Sequence, residues 1–276
     1  MRATDDMKRD FARDGAIVVR GLFDAEQLKR VRQAFDYGIA HPSPVAQQVF
    51  KGTADAHFND FSNPENAPHY VGMIQELGLH DFMASLWDSQ NVWFLGEELF
   101  IKSGGKTGRS PWHQDTSYLP ATGEHLANIW ISFESIPREN ALEIVKGSHR
   151  GPQYDGTAYA DPSDPTRPVW GDGTFARLPD IEAQRRSQPA AWDILSWAVE
   201  PGDAIVLHSG TLHGGAPVTA ACPTRHTLVL RFFGDKLFYR PLPTVKPNYP
   251  IDMRDYDDRS MTPGAPYRAS YYPQLR

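Results

Sequence analysis

The chain has 276 residues, 40% hydrophobic and 22% charged, with a formal net charge of -6, the balance of a soluble globular protein. No basic excess is present to neutralise phosphates, which excludes general nucleic-acid binding, and no apolar run approaches the roughly 20 residues needed to span a bilayer. A single cysteine, Cys222, cannot form an internal disulfide, and the charged N-terminus carries no apolar leader, so the expected location is the cytoplasm.

DDMKRDFARDG predicts a short amphipathic helix anchored by Phe11 and ended by Gly15, followed by a short strand, AIVVRG, from Ala16 to Gly21. FDAEQLKRVRQAFDYGIA sets Leu28, Val31, Phe35 and Ile39 at helical spacing, so a surface helix packs there. NAPHYVGMIQELGLHDFMASLWDS reads as two more helices broken near Gly78. From Val92 the texture turns to β, and NVWFLGEELFIKSGG is a strand running into a glycine loop. NIWISFESI, from Asn128 to Ile136, alternates, with Ile129, Ile131 and Phe133 on one face and Trp130, Ser132 and Glu134 on the other. ALEIVKGS is a short strand closed by a Gly-Ser turn, and 152–191, rich in Pro, Gly and Asp, reads as a lid-like insertion. DILSWAVEPGDAIVLHSGTLHGGAP supplies two strands joined at Pro201-Gly202-Asp203, TRHTLVLRFFGD a further one, and the tail after Tyr239 wraps the surface. With no internal repeat and no linker, the expectation is one domain over 1–276. Helical support covers about 1–90, a β-barrel about 92–240, and a tail 241–276. The fold class is mainly β with flanking helices, an antiparallel barrel or sandwich.

Within SPWHQDTSYLP, His113 stands two residues before Asp115. Such pairs often serve only loop hydrogen bonding, but they also supply two ligands to one metal. Two histidines and a carboxylate on one face of an octahedron leave three positions open, the arrangement that suits non-haem Fe(II) oxygen chemistry. His149, His208 and His213 are candidates for the third ligand. His149 sits in a turn, and His208 lies inside an apolar strand where a hydrogen-bonded core histidine is expected. His213, at the strand exit before Gly214-Gly215, is the better ligand on local grounds, because the glycines allow close approach. Arg225 opens the strand a dozen residues on and can return to the same cavity, where a buried guanidinium would hold a carboxylate by two parallel hydrogen bonds. Arg231, on the same strand, competes for that role.

HQD at 113–115, LEIVKGSH at 142–149, PGDAIVLHSGTLHGG at 201–215 and the Arg225 strand together resemble the phytanoyl-CoA dioxygenase family of Fe(II)/2-oxoglutarate oxygenases, in order from about Gly15 to Asp235. The resemblance implies a double-stranded β-helix, a jelly-roll or cupin-like barrel of two antiparallel sheets. It implies His113, Asp115 and His213 as iron ligands and Arg225 as the partner of the distal carboxylate of 2-oxoglutarate. It also implies O2 as cosubstrate, with 2-oxoglutarate decarboxylated to succinate and CO2 as a small-molecule substrate is hydroxylated. The carboxylate at Asp115 argues against halogenation, which in relatives needs a small residue there; desaturation, epoxidation and ring formation use the same ligands and stay open beside hydroxylation.

Many relatives carry a hydroxyl residue two after the distal histidine, where this chain has Gly215; Thr116, Asn128, Trp130 and Lys102 are candidates for further cosubstrate contacts. Ala141 stands where glycine is more usual. An acyl-CoA substrate would call for a basic cluster, and Arg185-Arg186 is the nearest candidate. Trp112, Tyr118, Trp170, Trp192 and Trp197 would suit an apolar or aromatic small molecule, or plain packing. A cupin-like metalloenzyme that does not use 2-oxoglutarate, and a catalytically silent barrel, are the alternative readings.

Overall fold

The computed structural model describes residues 1–49, 56–105, 108–159 and 163–276. Helix α1 (Asp5–Asp14) starts where Thr4 accepts the backbone N–H of Met7 and ends at Gly15, with Phe11 buried. Strand β1 (Ala16–Val19) leads to α2 (Ala25–Ala40), opened by a reciprocal capping box between Asp24 and Gln27 and burying Val31, Ala34 and Phe35. Strands β2 (Gln47–Val49) and β3 (His57–Phe61) follow, and the sequence reading missed both. QQV and HFNDF carry no apolar alternation, and their form comes from antiparallel pairing onto a long neighbour. Helices α3 (Ala67–Glu76) and α4 (Leu79–Trp87) separate at Gly78 as predicted.

The strands that follow are β4 (Val92–Lys102), β5 (Ser110–His113), β6 (Ala121–Gly123), β7 (Leu126–Ser132) and β8 (Leu142–Val145). After helix α5 (Ile181–Ser187) come β9 (Ile194–Leu195), β10 (Ala204–His208), β11 (His213–Gly215), β12 (Arg225–Gly234) and β13 (Leu237–Tyr239). One sheet runs β1-β10-β7-β12-β4-β3-β2 and a smaller one β5-β11-β8-β9, with the strands within each sheet paired antiparallel.

Alternation along the central strands decides what each face does. Ile129, Ile131, Val206, Leu228 and Leu230 turn outward and bury themselves against Phe11, Phe35, Tyr70 and Phe82 of the helices. Trp130, Ile205, Leu207 and Val229 turn inward and meet Leu142 and Ile144 of the small sheet. Each such burial contributes about 1.5–3 kcal/mol. The result is mainly β, a jelly-roll with helices packed on one side.

Two strand expectations are corrected. β7 stops at Ser132 because Glu134 turns aside to accept the backbone N–H of His226 at 2.9 Å and to meet its ring Nδ1 at 2.6 Å. DILSWAV keeps only two residues in β9, with Val199 joined to Ile136 by a lone bridge. Of the insertion at 152–191, residues 160–162 lie outside the described residues; its buried part packs on the barrel and the tail, while 171–174 and 186–191 are exposed. Ala158, Val169 and Trp170 share a small core with Leu242 and Met253 of the tail, and the Trp170 indole N–H donates to Ser117 O at 2.9 Å. The tail then returns to β4, where Leu275 N donates to Val92 O at 2.8 Å. Among the described residues no helix is long and apolar enough to cross a membrane.

Candidate metal centre and its cavity

β5 and β11 are neighbours in the small sheet, and their register sets His113 directly opposite His213, with ring centroids 4.2 Å apart. Gly214 permits this approach, since a Cβ there would sit 2.9 Å from both Pro111 O and Ser110 O. His113 Nδ1 lies 2.9 Å from Pro111 O and His213 Nδ1 2.8 Å from Thr211 O. A carbonyl can only accept, so each ring carries its proton on Nδ1 and offers the Nε2 lone pair. Asp115 opens the 3-10 turn after β5 and turns Oδ1 to within 3.4 Å of His113 Nε2 and 3.6 Å of His213 Nε2. One donor atom from each of the three residues falls within 4.8 Å of the others.

The charge states suit a divalent cation. Burial, with His113 alongside, pushes His213 down to about 4, which keeps it a neutral donor. Burial opposes ionisation of Asp115, but the Arg231 guanidinium, the largest opposing influence, helps to hold the carboxyl well below its usual range. Two imidazoles and one carboxylate make the donor set expected for a non-haem iron.

The remaining predicted residues divide. Arg225 is buried at 3% exposure; its Nη1 donates to Ala216 O at 2.5 Å, its Nε to Thr227 Oγ1 at 3.2 Å, and the Trp130 ring lies 5.8 Å away. It forms no ion pair among the described residues, and burial pulls it down to about 10. Lys102 stands opposite it in the ladder and reaches the same Ala216 O at 3.4 Å and Ser110 Oγ at 3.2 Å. Asn128 turns to the metal ligand: its Nδ2 donates to Asp115 Oδ2 at 2.6 Å, and its Oδ1 accepts from Ser209 at 3.0 Å. Thr116 departs from the expectation. Its hydroxyl is turned to Gln153 Oε1 at 2.7 Å, and it does not line the cavity. Gly215 has φ +84, and a Cβ would meet Glu143 Oε2 at 3.2 Å, so a serine there would be strained.

His149 and His208 pack against each other, with ring centroids 5.2 Å apart and Phe11 beside His208. His208 Nε2 donates to Gly123 O and its Nδ1 accepts from Gly210 N–H, each at 2.9 Å, so it is a satisfied core residue that burial lowers to about 4. Arg231, the rival of Arg225, is already paired, with Glu98 and with Asp115 Oδ2 at 3.5 Å.

A cavity of about 310 Å³ joins these groups, running past Arg225, Trp130 and Ser110, over His113, Asp115 and His213, to Arg231 and Glu98. Its far wall is aromatic. Tyr159 lies 5.7 Å from the His113 ring and 6.2 Å from Tyr249, which lies 5.7 Å from Tyr118. Of the five aromatic residues named from sequence for an apolar or aromatic substrate, only Tyr118 lines this cavity. Arg185 is spent on Glu143 and Glu182, each at 3.1 Å. Sequence reasoning missed Ser110, Glu98, Tyr159 and Tyr249. Ser110 alone had a local cue, three residues before His113 on the same strand.

A jelly-roll with two histidines and an aspartate converging from neighbouring strands has the architecture of the non-haem iron oxygenases. The chain belongs to the phytanoyl-CoA dioxygenase (PhyH) family, whose model matches residues 11–227. The peroxisomal phytanoyl-CoA dioxygenases of Rattus norvegicus and Bos taurus are 23% and 29% identical to it over 227 residues, covering 76% of this chain and 62% of theirs. The chain thus spans 62% of the length of those relatives. The non-heme alpha ketoglutarate dependent carbocyclase SnoK from nogalamycin biosynthesis superimposes with TM-score 0.69 at 14% identity, covering 99% of this chain and 97% of that one. The epimerase SnoN, solved with Fe3+, alpha ketoglutarate and nogalamycin RO, gives TM-score 0.63 at 17% identity, covering 99% and 98%. EctD from S. alaskensis, with 2-oxoglutarate and 5-hydroxyectoine, gives 0.59 at 18%, covering 91% and 86%. At these identities the likeness establishes the fold.

Proposed function

We propose that this chain is an Fe(II)- and 2-oxoglutarate-dependent dioxygenase that hydroxylates an unactivated C–H of an uncharged small molecule, releasing succinate and CO2. His113, Asp115 and His213 hold the iron, and Arg225 holds the distal carboxylate of 2-oxoglutarate. The observation that carries this reading is Arg225 itself, a buried guanidinium with no described ion-pair partner in the cavity that also holds the metal triad. A buried cation left unpaired is costly, and a bidentate carboxylate is the ligand its planar fork fits. Lys102 stands across the ladder from Arg225 and shares Ala216 O with it. Ser110 faces Gly215 in the register and supplies the hydroxyl that Gly215 lacks.

Bound iron would supply the oxygen activation that no side chain can provide. The chain's own residues do the rest. Nδ1 anchoring on carbonyl oxygens fixes both histidine rings, and Arg225 with Lys102 orients the cosubstrate. Tyr118, Tyr159 and Tyr249 wall the cavity beside His113. The charge inventory favours an uncharged substrate with rings or apolar surface over a CoA thioester. Among the described cavity residues Arg231 is neutralised by Glu98 and Asp115, so nothing at that end is left for phosphates.

The test is anaerobic addition of Fe(II) and then 2-oxoglutarate to metal-free protein, watching for the weak visible charge-transfer band of the chelate. A band that needs His213 and weakens in Arg225→Ala is the expected result. Iron binding without a band would sink the 2-oxoglutarate reading in favour of another metalloenzyme, and no iron binding would leave a silent barrel.

A further inference from the structure

The two oxygens of Asp115 have separate surroundings. Oδ1 faces both histidine Nε2 atoms, at 3.4 and 3.6 Å, while Oδ2 faces away from them, toward Asn128 Nδ2 at 2.6 Å and Arg231 Nε at 3.5 Å. Both partners come from the large sheet, and the ladder places them side by side, since Arg231 on β12 is the register partner of Asn128 on β7. On its other flank Arg231 pairs with Gly96 of β4, where the register shifts and Leu95 is left without a partner on β12. Bulges of this kind re-aim side chains at the rims of barrels. Here the next inward residue of β4, Glu98, takes Arg231 Nη2 on Oε2 and Asn59 Nδ2 on Oε1, the latter at 2.9 Å. The Arg231 guanidinium therefore spans from a wall carboxylate to the carboxylate of the metal triad. Burial works against its charge, but Glu98 and Asp115 more than restore it.

A carboxylate free to swing can offer a metal one oxygen or two, and a second would occupy a position needed by cosubstrate or O2. Asn128 is a neutral donor, itself held by Ser209, and can fix only one direction of Oδ2. Arg231 adds a charged donor from a second direction, fixed in turn by Glu98.

We propose that Arg231 is a positioning residue for the metal-ligating carboxylate: anchored by Glu98, it holds Oδ2 of Asp115 with Asn128 and leaves Oδ1 as the single oxygen turned to the metal. This rests on the metal reading of the triad. It gives the second arginine of β12 a task distinct from that of Arg225, and it assigns Glu98 to the support of Arg231.

Co(II) tests it without turnover, because its visible absorption reports coordination number and ligand geometry. Full-length wild-type protein, Arg231→Met, Arg231→Lys and Glu98→Gln would be titrated anaerobically with Co(II) and Fe(II), alongside circular dichroism and thermal melting. In Arg231→Met the expected results are a metal affinity about tenfold weaker, within the range for loss of a partner that orients a ligand, and an altered Co(II) spectrum. Arg231→Lys should recover part of the affinity but not the spectrum, since an ammonium cannot bridge both carboxylates. Glu98→Gln, which keeps Arg231 but loosens its anchor, should shift both readouts in the same direction by less, and it decides the matter if Arg231→Met does not fold. Folded Arg231→Met or Glu98→Gln with wild-type affinity and spectrum would overturn the proposal alone. Wild-type protein that binds neither metal would overturn the metal reading and this proposal with it.

Discussion

Two arginines six residues apart on β12 are both turned into the barrel, yet their circumstances are opposite. Arg231 sits between Glu98 and Asp115, and these partners raise its pKa despite burial. Among the described residues Arg225 hydrogen-bonds only to neutral oxygens, from Ala216 and Thr227 at the closest; it faces Lys102 across the ladder and is drawn down to about 10. Burying a charge without its counter-charge costs several kcal/mol, so one end of this strand is complete and the other is not. The complete end belongs to the framework. The incomplete end is where an anionic ligand has free energy to gain by binding.

The largest effect lies between the two arginines, at the triad. His213→Ala removes one of three donors, and metal affinity should fall by about a hundredfold or more, with loss of the cosubstrate band. Retained affinity by calorimetry would break the comparison at its root, because neither arginine would then flank a metal. Next comes stability. Arg231→Met leaves two carboxylates facing each other and should cost about 3–5 kcal/mol in the metal-free protein, whereas Arg225→Met removes an unpaired charge and should be neutral or stabilising. Denaturant melts should therefore show a loss for Arg231→Met and none for Arg225→Met; equal losses would mean that Arg225 is as well satisfied as Arg231. Arg225→Ala should in turn weaken 2-oxoglutarate binding by about a hundredfold, close to 2.7 kcal/mol, within the range for losing one partner of a buried charge pair. That loss would appear in anaerobic titration, with metal affinity unchanged.

The contrast between the arginines was invisible in the sequence. Both open or follow alternating apolar residues in RHTLVLRFF, and spacing from His213 was the only feature that separated them. The triad was legible because HxD brings two donors within one turn of chain and the Gly214-Gly215 pair marks a close strand approach. The fold class was legible from the switch between helical and alternating periodicities. What stayed hidden depends on register. Glu98 reaches Arg231 because of a shift between β4 and β12, Ser110 faces Gly215 through the β5–β11 ladder, and Tyr249 arrives from a tail that lies beyond residues 11–227. β2 and β3 were missed for the same reason: their residues take strand form from a partner and not from their own pattern. Asn128 was picked out as a site residue, but the sequence could not say which group it would hold.

Glu97, next to Glu98 but on the helix-facing side of β4, sharpens the comparison from the acid side. It pairs with Leu230 in the ladder, is 2% exposed, and accepts the backbone N–H of Asn63 at 3.0 Å. Burial pushes it up to about 7, with Asp60 adding to the rise. A carboxyl in this position can escape its desolvation by holding a proton, a course not open to Arg225 at neutral pH. The folded state therefore binds more protons than the unfolded chain between about pH 4.5 and 7. Stability from this group is full below that window, falls as pH rises through it, and is lost above it. A shift of this size corresponds to at most about 3 kcal/mol, and relaxation around the site should leave about 1 kcal/mol. Glu97→Gln keeps an acceptor for Asn63 and has no charge to bury, so its melting temperature should exceed that of wild type at pH 8 and match it near pH 4.5. A difference that stays constant across that range would show that Glu97 is ionised in the fold throughout. β4 would then hold a buried charge unpaired without any ligand to complete it, and the inference drawn from Arg225 would lose its force.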